Sequence, residues 1–161
     1  MKRGFTLIEL ILVVAIVGIF TTAILAVVNP SQQVLKANDG RRKSDLSQIQ
    51  RGLEAYYQDN GRYPLASGQK IYTTALIDWG TSWQPYMNVL PKDPTSSRQY
   101  IYYVSSDGQS YVVYASLERG TVDPQACNGG SACATIATFG ISATACGGTC
   151  NYAVSSPDIN P

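Results

Sequence analysis

Between Phe5 and Val28 the chain reads FTLIELILVVAIVGIFTTAILAVV, 24 residues with one formal charge, Glu9. As an α-helix rising 1.5 Å per residue this run is about 36 Å long, enough to cross the hydrocarbon of a bilayer. Only Met1, Lys2, Arg3 and Gly4 stand before it. That short basic start is expected to stay cytoplasmic and to send the other end outward, giving a single-pass membrane anchor with the carboxyl-terminal domain outside the cytoplasm. A secretory signal peptide shares both marks, but its apolar core spans about 7 to 15 residues and ends at a small-residue cleavage site. Here the run reaches Asn29-Pro30 without a convincing Ala-x-Ala. A plain anchor gives no reason for Glu9, because a carboxylate in hydrocarbon costs on the order of 2.5 kcal/mol or more; such a residue is by default functional.

The remaining length narrows the choice of function. A chain of 161 residues supports one globular domain beyond the anchor. It has no histidine, which removes Ser-His-Asp and Cys-His catalysis, His-ligated zinc and the commonest general base near neutral pH. No pair of carboxylates reads as an acid and a base, so no enzyme is expected. The formal net charge of +1 points to no nucleic-acid partner.

Lys2-Arg3-Gly4 followed by Phe5-Thr6-Leu7-Ile8-Glu9 resembles the class III signal of type IV pilins and type II secretion pseudopilins, and the likeness continues through the apolar run. The resemblance implies that residues 1–4 are a leader, that a membrane-embedded prepilin peptidase cuts after Gly4, and that the new amino terminus, Phe5, is methylated. It also implies that the Glu9 carboxylate meets the terminal ammonium of a neighbouring subunit, two charges that are costly apart in hydrocarbon and tolerable together. Within one helix Phe5 and Glu9 are also a turn apart, so a contact inside one subunit is the alternative. Gly18 costs the helix about 1 kcal/mol relative to Ala. It falls where many relatives have a glycine and filament helices melt locally; a glycine that merely lets another helix approach is the competing reading. Pro30 is expected to kink the helix, with Asn29 biased away from helical angles.

Residues 29–60 read as an amphipathic stalk helix continuing the 5–28 segment. Leu46, Ile49, Leu53, Tyr56 and Tyr57 form one apolar stripe, with Lys43, Asp45, Gln48, Arg51 and Gln58 opposite. Arg41-Arg42-Lys43, close to Asp39 and Asp45, reads as a solvated face, with Arg41 and Asp45 as an i,i+4 pair. Asp59-Asn60-Gly61 and Pro64 supply the stop. Residues 61–97 lack a sustained period and are expected to form an irregular connector, packed by Ile71, Leu76, Trp79, Trp83 and Met87. In 98–126, QYIYYV (99–104) and SYVVYASL (110–117) flank Asp107-Gly108, the signal of a hairpin; a third strand is expected from Asn151 to Val154. The fold class is α+β, a long amino-terminal helix on a small antiparallel sheet, the pilin fold.

DLSQIQRGLEAYYQDNGRYP (45–64) and Leu90-Pro91-Lys92-Asp93-Pro94 resemble phrases of the major pseudopilin, whereas the tail from about residue 120 departs from that pattern. The departure bears on calcium, the one cofactor the resemblance raises. Asp107, Glu118, Asp123 and Asp158 are available, but their spacing is not that of a calcium loop. The four cysteines, Cys127, Cys133, Cys146 and Cys150, all lie in residues 127–161. Outside the cytoplasm they are expected to form two disulfides, with three connectivities open; zinc is disfavoured because CNGGSAC and CGGTC lack knuckle spacing. The resulting expectation is a subunit of a homo-oligomeric helical filament. By resemblance it is served by prepilin peptidase, an inner-membrane assembly platform and a motor ATPase. A type II secretion pseudopilus is the first reading; a surface type IV pilus and a membrane-tethered domain that never polymerises are the alternatives.

Overall fold

The computed structural model describes residues 4–161, and of residues 23–28 the backbone alone. The basic start, Met1 to Arg3, lies outside the described residues. Two compact units are present, one ending at Leu35 and one running Lys36–Pro161.

In the first unit α1 covers Leu7–Val28. Thr6 caps it: the Thr6 hydroxyl accepts the Glu9 backbone N–H, and the Glu9 carboxylate accepts the Thr6 N–H, a reciprocal capping box. The side chains of Leu7 to Phe20 are exposed and apolar on every face except at Glu9 and Gly18, as in helices that water does not surround. Thr21 and Thr22 donate their hydroxyls to the carbonyls of Val17 and Ile19, both at 2.8 Å, so neither carries an unpaired donor. Among the described residues no helix is long and apolar enough to cross a membrane. The described side chains of α1 stop at Thr22, short of the roughly 17 to 25 residues a span needs, while the apolar sequence continues to Val28. Asn29 then takes a left-handed conformation (φ 41°, ψ 74°), and Pro30 opens α2, Pro30–Asn60. Proline suits a first helical position, where its missing N–H would be unpaired anyway, and it excludes the helical region for the residue before it.

In the second unit α2, from Lys36 on, lays Leu46, Ile49 and Leu53 against a three-stranded antiparallel sheet: β4 (Ile101–Val104), β5 (Tyr111–Ala115) and β6 (Tyr152–Ser155), with β5 central. The helix ends where the sequence predicts, with Gly61 at φ 67° and its N–H on the Tyr57 carbonyl. β5 is buried along its whole length, and period-two alternation divides it. Tyr111, Val113 and Ala115 join the α2 core, while Val112 and Tyr114 turn the other way with Ile101. A second layer, absent from the sequence-based expectation, covers that other face. Cys133, Ile136 and Ile141, from and beside a short helix α3 (Ala134–Thr138), pack there with Cys146 and Cys150.

The cysteines pair locally, Cys127 with Cys133 and Cys146 with Cys150, and none is free. The 146–150 turn sits on the irregular segment leading into β4: Gln99 N–H donates to the Cys146 carbonyl, and a Cβ at Gly147 (φ 77°) would lie 2.0 Å from the Ser97 carbonyl oxygen. Closing loops of six- and four-residue separation removes about 2 kcal/mol each of unfolded-chain entropy. Full reduction is therefore expected to lower the melting temperature of this unit by on the order of 10 °C, read by circular dichroism with and without reductant; a shift under 2 °C would mean that packing alone holds the layer.

The stretch expected to be an irregular connector carries a meander, β1 (Leu65–Ser67), β2 (Lys70–Tyr72) and β3 (Leu76–Ile77). Gly68 and Gln69 both have positive φ, the two-residue hairpin turn whose twist matches its strands. The Gln69 carbonyl accepts the Tyr102 N–H at 2.8 Å, tying the meander to β4. Strands of two or three residues are too short to show a period. Of the side chains expected to pack this stretch, Ile71 and Trp83 are buried, and Trp79 and Met87 are partly so. Leu76 is not: it is 47% exposed, because it points to the face opposite Ile77, which packs on the core beside its partner Ile71.

Candidate functional site

Two sets of side chains stand out, one in each unit. In the first, Gly4 and Phe5 are exposed ahead of α1, with Phe5 79% open. Glu9 occupies the first turn, where its Oε2 accepts from Thr6 N at 3.1 Å and from Thr6 Oγ1 at 3.0 Å. Thr6 went unread in the sequence although Thr-x-x-Glu before an apolar run is the capping-box signature. The carboxylate thus has a local partner in the single chain. A Cβ at Gly18 would meet no atom within 4 Å, so nothing in this chain requires glycine there by contact.

The second set corrects a sequence expectation. Arg42, expected on a solvated face, is fully buried, and Asp39 and Asp45 are buried beside it; Lys43 is half-buried and Arg41 alone stays open. Positions 42 and 39 lie four and seven residues before Leu46, so the face that buries leucine farther along turns inward here with charged groups. Arg42 grips Asp93 with two donors, Nε to Oδ2 at 2.8 Å and Nη2 to Oδ1 at 3.0 Å. Its Nη1 donates to Asp39 at 2.9 Å, and Nη2 also reaches Glu118 at 2.9 Å and Thr95 Oγ1 at 3.0 Å. Burial works against the guanidinium charge, but the bonds to Asp93, Glu118 and Asp39 overcome it and raise the pKa above the ordinary arginine value. Asp39 Oδ1 also accepts the Glu118 N–H, and its Oδ2 accepts the Arg119 N–H, each at 2.8 Å.

This cluster joins three segments: α2, the Leu90-Pro91-Lys92-Asp93-Pro94 phrase, and the turn after β5. Asp39 and Asp93 commit both oxygens to Arg42 and to backbone donors, and Glu118 commits Oε1 to Arg42 and the Thr95 hydroxyl, an arrangement suited to fixing chain segments. Beside it the Tyr100 hydroxyl donates to Asp45 Oδ2 at 2.7 Å. Burial pushes the Asp45 carboxyl up and the Asp93 charge adds to it, against the Tyr100 bond and the weaker pull of Arg41. A carboxyl raised in the folded state binds its proton there at a pH where the unfolded chain has lost it. Its contribution to stability is therefore present at low pH and falls as pH rises through the folded value. Asp45→Asn keeps an acceptor for Tyr100 and is expected to remove that slope above about pH 4 while leaving stability at pH 7 unchanged or slightly higher; melting between pH 4 and 7 checks it, and a clear loss at pH 7 would contradict it.

The acidic residues considered for calcium do not fit that ion. Glu118 is held by Arg42, and Asp123 by Lys43. Asp107 accepts from Ser105 and from the Gln109 N–H inside the β4–β5 turn, and Asp158 is exposed near the end of the chain. Calcium takes six to eight oxygens about one centre, and among the described residues no group of three or more His, Cys, Asp or Glu could hold a metal ion.

Residues 1–25 match the family model described as the prokaryotic N-terminal methylation motif, and residues 29–127 match the model described as type II secretion system (T2SS), protein G. The chain is similar to the type II secretion system core protein G of Klebsiella michiganensis, 33% identical over 98 residues that cover 58% of this chain and 68% of the relative. The Klebsiella pneumoniae protein of the same name is 33% identical over 67% of this chain and 77% of its own, and that of Escherichia coli K12 29% identical over 76% and 78%. No solved structure matches. The protein G match begins at Asn29, where α1 has ended, takes in the Arg42 cluster and both phrases, and stops at Cys127, where the disulfide-stapled layer starts. With a methylation motif leading directly into that domain, the chain belongs to the protein G family of type II secretion pseudopilins, structural subunits of secretion.

Proposed function

We propose that the protein is a filament-forming pseudopilin that acts by assembly and not by catalysis. The carrying observation is the order of the two matches on one chain: a methylation motif over residues 1–25 and a protein G domain over 29–127. On this reading residues 1–4 are removed by prepilin peptidase between Gly4 and Phe5, both exposed in the chain, and Phe5 is methylated. Residues 5–28 anchor the subunit across the inner membrane and later form the filament core; 29–60 is the stalk, and 61–161 is carried outside the cytoplasm. Glu9 exchanges its Thr6 contacts for the Phe5 ammonium of a neighbouring subunit. Gly18 and the Asn29-Pro30 break let the helix adapt as it leaves the bilayer. An assembly platform and a motor ATPase in the inner membrane supply the force. A surface pilus is the second reading, favoured by one observation: the disulfide-stapled layer lies beyond the protein G match.

Intact mass of material sheared from cells, before and after reduction and alkylation, tests both. A chain without residues 1–4, bearing one added methyl and taking up alkyl groups only after reduction, is the expected product. Recovery in the sheared fraction supports a surface pilus, and recovery as processed chain in membranes alone supports a pseudopilus. An unprocessed chain in cells with active prepilin peptidase would replace both by the tethered-domain reading.

A further inference from the structure

The turn after β5 is closed by a side-chain cation. Lys43 Nζ, on α2, donates to Asp123 Oδ1 and Oδ2 at 2.7 and 2.6 Å and to Gln125 Oε1 at 2.9 Å. It lies 5.7 Å from the centre of the Tyr152 ring, within range of a cation–π attraction. Asp123 Oδ1 also accepts the Gln125 N–H at 2.9 Å, which shapes the turn from inside. One residue back on α2, Arg42 holds Glu118, the acid that opens the same segment, while Asp39 takes the N–H groups of Glu118 and Arg119. Both acidic side chains of residues 118–125 therefore already face a fixed positive charge.

A divalent cation would have to gather six to eight oxygens at 2.3 to 2.6 Å. An ammonium that close to both Asp123 oxygens fills the place such an ion would take and repels it. We infer that in this protein the Lys43 ammonium closes the 118–125 turn onto α2 in the place a divalent cation would need, so that the fold of this segment is independent of calcium. The inference goes beyond the filament reading and does not depend on it, since every contact it uses lies within Lys36–Pro161.

The test is thermal melting of the full chain in detergent, in EDTA and in millimolar calcium chloride. The wild type is expected to melt within about 1 °C in the two buffers, Lys43→Met about 5 °C lower in both, and Lys43→Arg close to wild type. Asp123→Asn added to Lys43→Met should cost little more, because the pair is already broken. A rise of 3 °C or more on adding calcium to the wild type would overturn the inference. So would a Lys43→Met chain that melts like the wild type in EDTA.

Discussion

Arg42→Met is expected to cost the Lys36–Pro161 unit about 3–5 kcal/mol, the range found when one partner of a buried ion pair is removed. Methionine replaces most of the volume, so the loss is electrostatic. Asp39, Asp93 and Glu118 lose their shared cation, while Asp93 and Glu118 stay largely shielded from water. Asp39 retains the Glu118 and Arg119 N–H groups, and Asp93 retains the Thr95 N–H, which keeps the loss below that of three isolated charges. Thermal melting at pH 7 should show a fall of 10 °C or so. Arg42→Lys keeps the charge but not the two-pronged grip on Asp93, and should lose less than half as much. Adding Asp93→Asn and Glu118→Gln to Arg42→Met should recover part of the stability by removing the uncompensated charges. A melt within 2 °C of wild type for Arg42→Met would show that the cluster does not hold these segments together.

Glu9→Gln is expected to leave processing, membrane insertion and the helix start intact while reducing filament yield at least tenfold. Glutamine can still accept the Thr6 N–H, so the capping box survives. What it cannot do is neutralise an ammonium removed from water, and 1.4 kcal/mol of lost pairing already amounts to a tenfold change in an equilibrium. Quantifying the mature chain in sheared and membrane fractions reads the effect. Glu9→Ala, which lacks both functions, should also fray the first turn of α1. If Glu9→Gln assembles normally and only Glu9→Ala fails, the carboxylate acts as a helix cap and the intersubunit role is wrong.

The stripe Leu46, Ile49, Leu53, the helix stop at Gly61 and the Asp107-Gly108 hairpin are legible in the sequence because each is a local pattern, a period or a turn residue within a few positions. The Arg42 cluster is not. Its partners Asp93 and Glu118 stand 51 and 76 positions away, and arginine beside lysine on a helix has the composition of a wet surface until its angular place behind Leu46 is counted. β5 did carry a signal for a covered second face, since YVVYA has no polar alternation. The segment that covers it is rich in Gly, Ala, Ser and Thr, which marks no period. Glu9 shows the reverse difficulty: a carboxylate in an apolar run is a strong mark of a membrane role, and it masks the weaker local mark of a cap with Thr6, three residues before it.

The two disulfides also bear on how the protein is made. Each bridge joins a cysteine to the next one along the chain, Cys127 to Cys133 and Cys146 to Cys150. In the proposed topology the amino terminus stays in the cytoplasm and the chain beyond the apolar run crosses in sequence order, so these thiols arrive one at a time and each first member meets its partner before the next pair has emerged. Oxidation in order of arrival therefore selects this pairing among the three that four cysteines allow. The layer over the sheet can then be stapled without a later round of reshuffling.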